Sequence, residues 1–554
     1  MMMEEKSKDV ATPTLKYKIA YSEKLGRYLQ ASKDLRAGEV ILREDPVAVG
    51  PMSCMKNPIC FECLSLLPDI EQDFHYICSG CNVVTLCGFS CEERAYYHSM
   101  YECEIIKNNM ELSIENTDTL AAVLFVLRLW LLKQKDPELW KRVLSLESHL
   151  NKRRNTIVWE DREINIVNVL KSLNFVPEND PSVSEIIQQL CGILDVNSFE
   201  LRSPGGMDGL LLRGLYLEAS LMAHDCRGNV HVTADDNFHL TVYASIPIKE
   251  GDVIFFNYTS SLLGTTGRRE YLRTGKYFEC ECDLCKDPYE MGSYMSCILC
   301  PRCRQGYVGM QDPLTKFPYS KNSKWQCNKC KKIISGCLIK TSLSISKNLV
   351  DDVDEYNIKV MENLKEKLSK SLHKNHFLML SLKQKLLNVY RQEVTGPNPK
   401  RKAMRSMAYL CREMYDLLEI VEPGISRLKG IMLYEIHLPL ALLANREYNA
   451  REISPAELVK RLEEAGGFLK KSLTMLLLEP VNTPEGKLAK RALQELKSLN
   501  ENIADVKSLI KTETSSSNSK RSQKNKSNKS DNTSDNKSDN KSTDKNKQTE
   551  NKNV

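Results

Sequence analysis

Eight side chains between Cys60 and Cys103 constrain this chain more than any other feature. They fall into four pairs: Cys60-x2-Cys63, Cys78-x2-Cys81, Cys87-x3-Cys91 and His98-x4-Cys103. Each pair spans a tight turn, so both members can reach one tetrahedral Zn²⁺ at about 2.3 Å, and eight ligands make two sites. The segment has too few apolar residues for a core of its own. Metal binding, on the order of 10 kcal/mol per zinc, is expected to supply most of its folding energy. A disulfide framework is the competing reading. The first ten residues carry Glu4, Glu5, Lys6, Lys8 and Asp9 and no apolar export signal. A reducing compartment, and therefore zinc, is expected.

A chain of 554 residues holds two to four domains. Its longest apolar stretch, Leu120 to Leu132, contains Arg128 and is too short to span a bilayer, so it reads as a buried helix. The formal charge of +6 is unevenly spread. Residues 511–554 carry 11 Lys/Arg against 6 Asp/Glu, which leaves 67 against 66 in the body. The folded part thus lacks the basic field that nucleic-acid binding requires.

Residues 15–51 read as strands joined by turns, with Gly26 and Arg36-Ala37-Gly38-Glu39 as punctuation. From about Ile105 to Phe199 the pattern is helical. Leu120, Val123, Leu124, Leu127 and Leu131 recur at helix spacing, as do Ile166, Val169 and Leu170. Asp195 to Gly209 reads as a connector. Strands return at 230–232, 240–246 and 253–258, between turns at Asp235-Asp236-Asn237 and Lys249-Glu250-Gly251. Cys280-x-Cys282-x2-Cys285 supplies three further ligands, one short of a closed site. Cys300-x2-Cys303 with Cys327-x2-Cys330 has zinc-ribbon spacing, with Cys297 as a rival for Cys300. After Ile339 the chain is helical to about Ile510. Leu488, Ala492, Leu493, Leu496 and Leu499 form one helix face, started by Thr483-Pro484-Glu485. Helix pairs of this length suggest a tetratricopeptide-like array without a strict period. Residues 511–554 are mostly Ser, Asn, Lys, Asp and Thr and cannot bury enough surface to fold.

Strand segments split by a cysteine module and helices, together with Gly26-Arg27-Tyr28-Leu29, Ala223-His224-Asp225-Cys226-Arg227-Gly228-Asn229 and Phe256-Asn257-Tyr258, resemble the SET and MYND domain family, and within it the arthropod-specific SmydA branch. The resemblance runs from about Leu15 to Ile510. It implies an α+β multidomain protein: a split SET β-fold with an inserted MYND zinc module, a post-SET zinc site and a C-terminal tetratricopeptide-like helical domain. The boundaries it implies are a flexible N-terminus at 1–14, the SET N-terminal part at 15–56 and MYND at 57–104. A helical insertion at 105–205, the SET C-terminal part at 206–275, the post-SET segment and zinc ribbon at 276–337, the helical domain at 338–510 and a disordered tail at 511–554 follow.

The resemblance also implies protein-lysine methylation with S-adenosylmethionine. On it, Tyr258 matches the catalytic tyrosine, Phe278 a channel-wall aromatic, and Gly26 and Arg27 the first half of the cofactor loop. His224 and Asn229 match polar residues of the family's Asn-His-Ser-Cys-x-Pro-Asn knot. Cofactor contacts are expected at Gly26, Arg27, Tyr28, Ala223, His224, Tyr258 and Phe278. Three positions depart from the pattern. Tyr28 stands at the loop's second glycine, Ala223 at the knot's asparagine, and Lys276 where relatives carry a channel tyrosine, with Tyr277 its neighbour in the channel if the register shifts by one.

The family's interleaved pairing implies one zinc on Cys60, Cys63, Cys87 and Cys91 and another on Cys78, Cys81, His98 and Cys103, with His75 the alternative to His98. It gives Cys226 as the fourth ligand beside Cys280, Cys282 and Cys285. With the ribbon this makes about four Zn²⁺, leaving Cys54, Cys191, Cys297, Cys337 and Cys411 as free thiols. Two functional readings follow. The first is a SAM-dependent protein-lysine N-methyltransferase acting on histone or non-histone proteins, with MYND docking a proline-containing peptide and the helical domain closing one side of the cleft. The second, motivated by Tyr28, Ala223 and Lys276, is a non-catalytic adaptor recruiting proteins through MYND and the helical domain. Either is expected as a monomer, off the membrane, cytoplasmic or nuclear, with chromatin association open.

Overall fold

A computed structural model describes residues 15–51, 58–67, 76–94, 97–109, 112, 117–204 and 211–527. Strands β1 (Tyr17–Ser22) and β2 (Gly26–Ala31) form an antiparallel hairpin in which Ser22 faces Gly26. Period-two alternation turns Leu29 and Ala31 fully inward, which leaves Tyr28 and Gln30 on the opposite face. β3 (Val40–Glu44) and β4 (Ala48–Pro51) follow. The described residues of the cysteine module add β5 (Tyr76–Ile77), β6 (Thr85–Leu86) and the short helix Phe89–Arg94.

Helices fill residues 117–197. In the first, Thr117–Lys135, Leu120, Leu124 and Leu127 are fully buried, as the spacing predicts. The stretch read as a connector differs. The Pro181–Asn197 helix runs into it, and Phe199–Arg202 is a strand, β7, paired with β8 (Leu211–Leu215), which pairs in turn with β4. Backbone pairing to β8, across the intervening loop, made this strand, and Glu200 and Arg202 on its outer face hid it from a hydropathy reading.

The second half of the β-fold adds β9 (Ala223–His224), β10 (Val230–Ala234), β11 (Leu240–Ala244) and β12 (Phe255–Phe256). The sheet order β10-β11-β3 joins the two halves of the split fold. Their common core holds Leu29, Leu42, Val49, Leu240, Val242 and Ile254 with the Thr117–Lys135 helix. β9 runs parallel to β12, so segment 223–229 is threaded against segment 253–258.

Beyond the Thr265–Gly275 helix, β13 (Ile298–Leu299), β14 (Tyr307–Met310), β15 (Lys324–Cys327) and β16 (Ile333–Ser335) form a meander. Helices from Gly336 onward pack successively, ending with Arg401–Val421, Arg427–Asn449, Pro455–Leu476 and Pro484–Ser527. The Oγ1 of Thr483 accepts the Gly486 amide at 3.1 Å and caps the last helix where Thr-Pro-Glu predicts it. Two details of that helix depart from the sequence reading. Leu493 is 47% exposed, because the buried face follows Ala489, Ala492, Leu499 and Ile503. The helix also continues past Ile510 to Ser527, since a run without Pro or Gly lets an established helix propagate. Among the described residues, no helix is long and apolar enough to cross a membrane.

Candidate active site and metal clusters

The eight ligands of the cysteine module separate into two groups, Cys60, Cys63, Cys87 and Cys91, and Cys78, Cys81, His98 and Cys103. The pairing is interleaved. A tetrahedron with bonds of about 2.3 Å has edges of about 3.8 Å. Cys63 and Cys87 sulfurs lie 3.4 Å apart, and those of Cys78 and Cys103 3.7 Å. These separations suit a shared metal and exceed the ~2.05 Å of a disulfide. His98 Nε2 is 3.5 Å from Cys81 Sγ, and burial lowers the histidine pKa to about 4, which keeps the imidazole neutral as a ligand must be. The long His-x4-Cys gap has a local cause. Residues His98–Glu102 form a π-helical turn in which the Cys103 amide donates to the His98 carbonyl, and this turn absorbs one extra residue. His75 and Cys54 lie outside the described residues.

A third cluster joins Cys226 to Cys280, Cys282 and Cys285, with Cys226 Sγ 3.8 Å from Cys280 and 3.6 Å from Cys285. Beneath it lies Arg268, fully buried, its Nη2 3.8 Å from Cys285 Sγ. This guanidinium lies between the cluster and the buried Glu290, 3.7 Å away, and would help to balance the negative charge that a Cys₄ zinc site carries. Sequence reasoning gave no signal for that role. The fourth cluster is Cys300, Cys303, Cys327 and Cys330. Cys297 points to the Pro288 carbonyl instead, which decides between Cys297 and Cys300. Fifteen cysteines and His98 therefore form four sets whose donors lie within 4.8 Å of one another. Their chemistry and spacing fit one Zn²⁺ each.

The zinc module is held to the β-fold by the ion pair of Arg128 and Glu102, both almost wholly buried. Arg128 also donates to the carbonyls of Val49 at 2.8 Å and Phe61 at 2.7 Å. The one charge in the apolar helix thus has a structural purpose.

The threaded segment is stapled by Asn229. Its Oδ1 accepts the Phe255 amide at 2.7 Å and its Nδ2 donates to the Val253 carbonyl at 2.9 Å. The crossing places His224 under Tyr258. The Tyr258 amide donates to His224 Nδ1 at 3.0 Å, and His224 Nε2 faces Cys226 Sγ at 3.4 Å. Ring centroids are 5.0 Å apart for His224–Tyr258, 5.7 Å for His224–Phe278 and 6.5 Å for Tyr258–Phe278. The Tyr258 hydroxyl donates to the Met222 carbonyl, and burial pushes the phenol above its ordinary pKa, so it stays protonated.

One cavity of about 1490 Å³ contains this cluster. Gly26, Arg27, Ala223, His224, Tyr258, Tyr277 and Phe278 line it. Gly26 has φ +68° and open space beside its Cα, so its backbone faces the cavity unobstructed. Tyr28 is the exception among the candidates. It is absent from the described lining because strand alternation points it away while Arg27 points in. Its bulk therefore does not crowd the site. Lys276, by contrast, reaches in. Its Nζ lies 5.7 Å from the Tyr258 ring centroid and donates to the carbonyls of Val196 at 2.6 Å and Asp195 at 3.2 Å. Tyr277 has φ +62° and stacks its ring 5.1 Å from His149, so Lys276 and not Tyr277 stands over Tyr258.

The far wall belongs to the helical domain, through Glu422, Pro423, Ile425 and Arg427. Gly424 (φ +73°) permits this approach. A Cβ there would meet the Ser245 carbonyl at 1.9 Å, and the neighbouring Ile425 amide donates to that carbonyl at 2.9 Å. Arg427 grips Glu479 with two bonds of 2.9 Å, and His231 of the β-fold adds a third at 2.8 Å. None of these wall residues had a sequence signal.

The split sheet, the Asn229 staple and the cavity beneath them define a SET-domain protein, and the SET domain family model matches residues 26–259. With paired zinc-type clusters inserted between the halves, the chain is similar to proteins of the SET and MYND domain family, in line with its resemblance to the SmydA branch. The SET domain-containing protein SmydA-8, isoform A, of Drosophila melanogaster is 26% identical over 333 residues, 57% of this chain and 65% of that protein. Histone-lysine N-methyltransferase SMYD3 of Homo sapiens is 23% identical over 352 residues, 61% of this chain and 75% of that protein. A SET and MYND domain-containing protein of Dictyostelium discoideum is 24% identical over 332 residues, 48% of this chain and 80% of that protein. The chain thus spans slightly under two thirds of the first relative's length.

Proposed function

We propose that this protein is a protein-lysine N-methyltransferase that uses S-adenosylmethionine and acts on histone or other proteins. The observation that carries the reading is the single cavity joining the Gly26-Arg27 loop to His224, Tyr258 and Phe278. Its volume exceeds the ~300–1,000 Å³ of a typical small-molecule pocket, enough for a cofactor and an entering side chain. The cofactor, when bound, supplies an electrophilic methyl group.

The chain's own residues do the rest. Gly26 presents bare backbone to the cofactor, and the rings of Phe278 and Tyr258, with the Lys276 ammonium above Tyr258, favour a neutral amine over an ammonium. The protonated Tyr258 hydroxyl orients the amine in line with the methyl group. The four clusters would each hold a Zn²⁺, and the set of Cys226, Cys280, Cys282 and Cys285 would tie the Phe278 wall to the knot. The helical domain narrows access, and the MYND module docks a proline-containing segment of a protein partner. The protein acts as a monomer in the cytoplasm or nucleus.

The test is transfer of labelled methyl groups to histones and to the proteins of a cell lysate. Tyr258→Phe should lower transfer by roughly 10²-fold. Equal transfer by the variant would remove Tyr258 from its role. The adaptor reading is favoured by Ala223 and the Lys276 ammonium, and it predicts no transfer to any protein by either form.

A further inference from the structure

Lys276 has an unusual setting for a lysine inside a cavity. Its backbone is fixed as the cap of the Thr265–Gly275 helix, where its amide donates to the Leu272 carbonyl at 2.9 Å. Its side chain ends against the carboxyl end of the Pro181–Asn197 helix, whose carbonyls carry partial negative charge. Both of its hydrogen bonds there are to backbone carbonyls, those of Val196 and Asp195. Among the described residues it forms no ion pair. The carboxylate of Asp195 is already engaged by Arg153 at 2.8 Å, Arg213 at 3.2 Å and Arg162 at 3.3 Å. Three guanidinium groups thus occupy the Asp195 carboxylate, and the Lys276 ammonium is left with backbone carbonyls as its hydrogen-bond partners. The ammonium also lies over the Tyr258 ring, where a cation is attracted to the π-face and a second cation would have to displace it.

We propose that Lys276 is a specificity-determining residue whose fixed ammonium biases the Tyr258 pocket toward uncharged groups. Of two cofactor forms that differ in charge, the neutral thioether S-adenosylhomocysteine is held in preference to the cationic sulfonium S-adenosylmethionine. The same charge admits an acceptor amine only in its deprotonated form. This inference rests on the methyltransferase reading, and it adds a property that Tyr258 and the cofactor loop do not supply.

The test is calorimetric titration of both ligands into the zinc-loaded full chain and into Lys276→Met and Lys276→Arg. Unit charges roughly 10 Å apart at an effective dielectric of ~20 shift an equilibrium by about tenfold. The native chain should therefore prefer the thioether by about tenfold more than Lys276→Met does, and Lys276→Arg, which keeps the charge, should keep the native preference. Zinc content and thermal midpoint check that each variant is folded, and Lys276→Gln replaces Lys276→Met if that variant fails the check. An equal preference in the native, neutral and arginine forms overturns the inference and leaves the methyltransferase reading standing. Binding of neither ligand by any form overturns both.

Discussion

The backbone amide of Tyr258 donates to Nδ1 of His224 across 3.0 Å, and this one bond joins the catalytic candidate to the knot. It makes Nδ1 the acceptor, so the ring proton sits on Nε2 and points at Cys226 Sγ. Burial lowers the His224 pKa to about 4, so the ring stays neutral. Replacing His224 with Ala leaves the half-buried Tyr258 amide unpaired. Such a loss costs about 1–3 kcal/mol. Chemical denaturation of the native and His224→Ala chains should show that difference, and methyl transfer should fall with it.

Cys226 belongs to the third cluster and to the threaded segment at once. Cys226→Ser should lower zinc content from four per chain to three, as counted by atomic absorption. Faster hydrogen exchange should appear around Phe278 and Tyr258. Retention of four zinc ions would remove Cys226 from the ligand set.

Arg128 and Glu102 should behave as a pair. Removing one partner of a buried ion pair costs about 3–5 kcal/mol because the other charge is left unpaired. Arg128→Met should be destabilised by that order. Arg128→Met combined with Glu102→Leu should recover most of the loss in a double-mutant cycle.

Glu479 gives the interface between the β-fold and the helical domain a pH dependence. Burial alone would raise its pKa, but the hydrogen bond from His231 and the charge of Arg427 outweigh it and hold the carboxyl below its ordinary range. A lowered folded pKa adds stability above the unfolded value of about 4.3, and that stability is lost as pH falls through the folded value. The gap in thermal midpoint between the native chain and Glu479→Gln should be full at pH 7 and shrink on acidification below about pH 4.

The two altered cofactor positions should behave differently. Ala223 lines the cavity and Tyr28 does not. Ala223→Asn should tighten S-adenosylhomocysteine binding, by about tenfold for one added hydrogen bond of about 1.4 kcal/mol. Tyr28→Gly should leave the affinity unchanged.

These contrasts mark how far the sequence could be read. Cysteine spacing picked out the short Cys-x2-Cys and Cys-x3-Cys pairs, because short-range turns govern which thiolates can meet, whereas Cys226 and the interleaved pairing came from the family resemblance. It could not explain His98, whose longer gap is taken up by a π-turn visible only in the backbone. Turn chemistry located Gly38 and Gly251, both at positive φ, and with them the strands on either side. β7 escaped because its partner strand lies across a loop in sequence. Tyr28 departs from the loop pattern, and only the strand alternation that turns it outward shows that its bulk lies off the cavity. Lys276 stood out as a substitution, yet its hold on the Val196 carbonyl depends on a helix end 80 residues away. The Arg427–Glu479–His231 contacts likewise arise only when two domains meet.

Calorimetric titration of S-adenosylhomocysteine into the chain loaded with four zinc ions decides whether the cavity under the Asn229 staple is a cofactor site. Saturable binding of one ligand per chain is expected, tightened by Ala223→Asn. No binding by the native chain or by Ala223→Asn, with all four zinc ions in place, would contradict it.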